Sequence, residues 1–102
     1  MKKILLLCSA GMSTSILVKK MKESAEKRNI EAEIEAVSTA KFYELLDNYD
    51  IFLLGPQVKY QKAELQAKAK EKNKPLDVID FKDYGMMNGE KILDFALNLK
   101  VE

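Results

Sequence analysis

Two kinds of hydrophobic pattern alternate along the chain. Residues 4–8 form a short continuous apolar run, the mark of a strand covered on both faces. From 13 to about 28 the spacing becomes helical. Leu17, Val18, Met21 and Ala25 share one stripe, and Lys19, Lys20, Lys22, Glu23, Glu26 and Lys27 face water. Asn29 is a stop signal. Residues 31–37 have a period of two, with Ala32, Ile34 and Ala36 on one side and Glu31, Glu33 and Glu35 on the other. A strand with one charged, wet face belongs at a sheet edge, where the charges discourage further pairing. Ser38 or Thr39 can cap a short helix over 41–46. Residues 50–54 are a third strand, ended by Gly55-Pro56. Strong helix formers fill 61–72, although Leu65 is the only large apolar residue there. Asn73-Lys74-Pro75 ends that helix and 76–79 is a fourth strand. Asn88 caps a last helix that buries Ile92, Leu93, Ala96 and Leu99.

The order βαβαβαβα implies a parallel sheet with right-handed crossovers and helices on both faces. The expected fold is α/β: a four-stranded parallel sheet in the order 2-1-3-4, a reduced flavodoxin-like arrangement similar to that of low-molecular-weight tyrosine phosphatases. Ligands of such sheets bind beyond the carboxyl ends of the strands, where the winding reverses between strands 1 and 3. The loops at that point are residues 8–15 and Gly55-Pro56-Gln57. A length of 102 residues suits one domain, 1–102.

Composition removes several classes of function. Lys+Arg 17 against Asp+Glu 16 leaves a net charge of +1, so no strong field draws in nucleic acid or an anionic membrane. No apolar run approaches the roughly 20 residues of a membrane span, and no membrane insertion is expected. Met1-Lys2-Lys3 before an apolar run resembles a signal peptide, but the run is too short and a heavily charged helix pattern follows. A single cysteine and no export signal indicate a reducing cytoplasm. The absence of histidine removes the commonest general base and metal ligand, and one thiol makes no zinc site, so neither metal nor cofactor is expected.

That one cysteine, Cys8, opens the segment CSAGMSTS between the first strand and the first helix. A loop entering a helix N-terminus presents unpaired N–H groups and the positive end of the helix dipole, a place that binds a phosphate-like dianion. Gly11 lets the backbone turn and approach closely, and Ser9, Ser13, Thr14 and Ser15 add hydroxyl donors. Helix N-termini also stabilise thiolates, so Cys8 is a candidate nucleophile toward phosphorus. Against this stands an inert reading: free cysteine is among the most buried residue types, and Ser and Thr before a helix are ordinary caps.

The segment CSAGMSTS, with GPQ after strand 3 and YGMMNG at residues 84–89, resembles the IIB component of the bacterial phosphoenolpyruvate-dependent sugar phosphotransferase system, lactose/cellobiose type. The resemblance covers essentially the whole chain. It implies that Cys8 takes a phosphoryl group from a phosphohistidine of a IIA protein and passes it to a sugar held by the membrane transporter IIC. The backbone amides of Ser9, Ala10, Gly11, Met12, Ser13, Thr14 and Ser15 then cradle the group. The missing histidine and the missing span fit, because both would belong to partner chains. Gln57 and Tyr60, just past strand 3, and Tyr84 are candidate neighbours of the thiol. Met12 is placed either in the docking surface for IIA and IIC or back against the core. A monomer is the simplest expectation, and the sugar is not readable from the sequence.

Two other readings compete. A low-molecular-weight tyrosine phosphatase would need an arginine six residues after Cys8, where this chain has Thr14, and an aspartic general acid. Asp80 and Asp83 are the only loose candidates, and as loop carboxylates they fit a turn cap and a solvated charge. A receiver-like or other ligand-binding module would want an acidic residue at the end of strand 3, where Leu54-Gly55-Pro56 stands.

Overall fold

In the computed structural model, which describes residues 1–9 and 14–101, four parallel strands lie in the order β2-β1-β3-β4. They are β1 (Lys2–Cys8), β2 (Ala32–Ser38), β3 (Ile51–Leu54) and β4 (Leu76–Val78). Between and after them run α1 (Thr14–Lys27), α2 (Phe42–Leu45), α3 (Lys62–Glu71), α4 (Phe81–Gly85) and α5 (Gly89–Asn98). The expected sheet order holds, with β1 central and paired to both β2 and β3.

Alternating side chains of the two inner strands feed two separate cores. Ile4 and Leu6 of β1 and Ile51 and Leu53 of β3 point to one face, where they meet Leu17, Val18 and Met21 of α1 and Ile92, Leu93 and Ala96 of α5. Leu5, Leu7, Phe52 and Leu54 point to the other, against Phe42, Val58, Leu65 and Ala69. Strands covered on both sides need continuous apolar sequence, which explains the runs read above. The outer strand β2 buries only Ile34 fully and leaves Glu33 and Glu35 exposed, as an edge strand should. At the other edge, Gln66 Nε2 donates to the Leu76 carbonyl at 2.8 Å.

Several boundaries differ from the sequence expectations. β1 begins at Lys2 rather than 4, and β4 stops at Val78, leaving Ile79 buried just beyond it. The helix expected over 41–46 is broken into a 3₁₀ turn (Thr39–Lys41), α2 and a second 3₁₀ turn (Leu46–Asn48). Ser38 does cap this segment, its hydroxyl accepting from the Ala40 amide. The helix expected over 61–72 begins at Lys62, and a 3₁₀ stretch over Pro56–Gln61 precedes it. Leu99 lies past the end of α5 and is only half-buried, since the chain turns extended there. The sequence reading gave no helix at α4, which Asp80 caps by accepting from the amides of Lys82 and Asp83, both at 3.1 Å.

Candidate functional site

The parallel register carries Cys8 to the carboxyl end of the central strand, opposite Ser38 of β2. On its other side the chain leaves β3 through Gly55, whose N–H donates to the Leu7 carbonyl at 2.8 Å. Cys8 therefore sits at the crevice between β1 and β3, where the winding direction reverses. The next helix, α1, begins at Thr14, so the thiol and a helix N-terminus face each other across residues 9–13.

The sulfur is enclosed, Cys8 being 3% exposed and Thr14 1%. Cys8 Sγ stands 3.4 Å from Thr14 Oγ1 and 3.9 Å from the Val37 carbonyl. Val37 escaped the sequence reading because its carbonyl reaches the sulfur only through the β1–β2 register, where Leu7 lies opposite Val37. No periodicity in the sequence specifies the register in which the two strands pair.

The other candidate residues separate. Ser9 and Ser15 are exposed at the two described ends of the loop. Ala10, Gly11, Met12 and Ser13 lie outside the described residues. Gln57 and Cys8 both border Gly55: an ideal Cβ on that glycine would stand 3.0 Å from Gln57 Oε1 and 3.7 Å from Cys8 Cβ. A bare glycine at position 55 thus keeps the crevice open between strand and side chain. Tyr60 is 77% exposed before α3, its hydroxyl accepting from Gln61 Nε2 at 3.3 Å. Tyr84 is buried in the α1/α5 core as part of α4. Phe81, 80% exposed at the start of α4, stands at the carboxyl end of the sheet and had no sequence signal.

Neither loop carboxylate is poised as a general acid. Asp80 is tied down as the α4 cap, and Asp83 is 4.0 Å from Lys91 Nζ. Among the described residues no three His, Cys, Asp or Glu side chains gather to hold a metal, and no helix is long and apolar enough to cross a membrane. A groove lined by Ala63, Gln66, Ala67, Pro75 and Leu76 opens at the amino end of β4, away from the thiol. The crevice brings together an enclosed thiol, a hydroxyl 3.4 Å from its sulfur and the start of α1.

Comparison with known proteins agrees along the whole chain. The oligo-beta-mannoside-specific EIIB component of the PTS of Bacillus subtilis is 50% identical over 101 residues, which are 99% of this chain and 98% of that protein. The solution structure of a cellobiose-specific phosphotransferase IIB component from Borrelia burgdorferi is 44% identical, with a TM-score of 0.80 over 95% of this chain and 89% of that one. A lactose-specific IIB domain of the phosphoenolpyruvate:carbohydrate phosphotransferase system of Streptococcus pneumoniae is 21% identical. It shares the fold, with a TM-score of 0.85 over 94% of each chain. The family model for the lactose/cellobiose-specific IIB subunit of the PTS matches residues 3–95, and the chain belongs to that family.

Proposed function

We propose that this IIB subunit is a phosphoryl carrier with Cys8 as its phosphorylated residue. The thiolate attacks the phosphorus of a phosphohistidine on IIA: the S–P bond forms, the N–P bond breaks, and the thiol proton ends on the freed imidazole. In the second step a sugar hydroxyl held by IIC attacks the phosphocysteine. The O–P bond forms, the S–P bond breaks, and the hydroxyl proton returns to sulfur. The backbone amides between Ser9 and Ser15 hold the phosphoryl group meanwhile, as an anion at a helix N-terminus. The protein works as a cytoplasmic monomer that meets the inner face of the membrane through IIC. The similar proteins named above are specific for different sugars, so the sugar here is a disaccharide or short oligosaccharide of that range.

One observation carries the reading: the chain's sole cysteine ends the central strand beside the start of α1, in a member of a phosphotransferase family. Incubation with phosphorylated IIA is expected to add one phosphate to the protein, and Cys8→Ser to abolish the addition. Equal phosphate on that variant would remove Cys8 from the role.

The phosphatase reading finds no support in the site. The position that would carry its arginine is Thr14, a buried side chain on the sulfur itself.

A further inference from the structure

We propose that Thr14 is the hydrogen-bond donor to the sulfur of Cys8, a role separate from cradling the phosphoryl group. The inference rests on the reading of Cys8 as the phosphorylated residue. It comes from counting protons around a buried atom. A thiol has one proton, a carbonyl can only accept, and a hydroxyl can do either. Cys8 Sγ has the Val37 carbonyl at 3.9 Å and Thr14 Oγ1 at 3.4 Å. When S–H points toward Val37, the sulfur is left able to accept from the threonine O–H 3.4 Å away.

The two contacts differ once charge appears on sulfur. As the thiolate forms, the bond to Val37 vanishes with its proton, whereas the bond from Thr14 strengthens, since hydrogen bonds to charged groups are the stronger ones. Both groups are within 3% of complete burial, so little water is available to take over. The same donor serves both directions of transfer. It meets the charge on sulfur before attack on IIA, and it meets the charge that returns to sulfur as the phosphoryl group leaves for the sugar. A preorganised donor at the place where charge develops lowers the barrier without reorganisation.

The site is arranged to hold Thr14 there. It is the first residue of α1, and Leu17, Val18 and Met21 behind it are packed in the core with Ile4 and Leu6 of the strand that carries Cys8. The hydroxyl is therefore fixed relative to the sulfur by the packing of α1 on the sheet.

The test compares Thr14→Val with Thr14→Ser in the full chain, each checked for cooperative unfolding. Cys8 is the only thiol, so iodoacetamide labels that site alone. Valine matches threonine in shape and lacks the donor, so alkylation at neutral pH is expected to slow about tenfold, the weight of one hydrogen bond to a charged atom. Serine, which keeps the hydroxyl, is expected to stay within twofold of the parent. An unchanged or faster rate in Thr14→Val, or a loss as large in Thr14→Ser, overturns the proposal. Should the valine variant fail to fold, Thr14→Ala is read by the same criterion. Phosphate acceptance from phosphorylated IIA, measured on the parent protein and Cys8→Ser, tests the carrier reading separately. Alkylation does not depend on that reading, so failure of either one is recognisable alone.

Discussion

A single missing Cβ sets how closely α5 approaches α1. An ideal Cβ on Gly89 would lie 2.6 Å from the Lys20 carbonyl carbon and 2.8 Å from the Met21 amide nitrogen, both backbone atoms that cannot swing aside. Gly89→Ala must push the two helices apart, and overpacking of this kind costs about 1–3 kcal/mol. The urea midpoint is expected to fall accordingly with an unchanged slope; an unaltered midpoint would show that the helices separate without cost. The glycine at 55 works differently. A methyl there would meet the movable Gln57 side chain and Cys8, so its consequence falls on the crevice rather than on the core. The approach of Gly89 to Lys20 and of Gly55 to Cys8 joins residues distant in the chain, which is why the sequence marked the cysteine but not these clearances.

Short elements depend most on their neighbours. α4 has five residues and one buried side chain, Tyr84, and a helix so short has no stability of its own. Its N-terminal amides are satisfied by the Asp80 carboxylate, and loss of such a cap costs about 1 kcal/mol. Asp80→Ala is therefore expected to destabilise the protein by that amount in chemical denaturation, while Asp80→Asn keeps most of it. Equal losses in the two variants would remove the cap as the cause. The segment 39–48 follows the same logic. Phe42 and Leu46 are buried beneath it, and their fit against the sheet breaks the expected helix into three short turns. Long periodic elements behaved otherwise: α1 and α5 follow their apolar stripes within a residue or two, because burial and helical period there demand the same conformation.

At the scale of the whole molecule, the carrier reading requires a phosphorylated state that outlives the journey between partners. Phosphoryl transfer to water is accelerated when a cation neutralises the equatorial oxygens, and a supplied arginine is worth ~10³-fold or more. The segment from Cys8 to Ser15 contains amides and hydroxyls but no cationic side chain. Phosphorylated protein alone is expected to release inorganic phosphate slowly, and to discharge quickly when membranes carrying IIC and its sugar are added. Turnover of an aryl phosphate by the isolated protein, measured against Cys8→Ser, checks the same point. Fast Cys8-dependent turnover without a partner would favour a phosphatase.

The sequence by itself determined the strand order, the two-faced burial of β1 and β3, the wet edge of β2 and the position of Cys8 at the switch between strands. The burial patterns follow from local periodicity, and the strand order and switch point from the flavodoxin-like arrangement that the βαβαβαβα order implies; none needs knowledge of a distant contact. The family was legible as well, from the CSAGMSTS segment, and the family model matching residues 3–95 agrees. Tertiary structure alone decided that Thr14 touches the sulfur and that the Val37 carbonyl lies behind it. It also brought Gln57 to the crevice, turned Tyr84 into the core and left Tyr60 outside. Those outcomes depend on strand register and on how two helices seat against one sheet, and a one-residue shift in either would change them without altering any pattern visible along the chain.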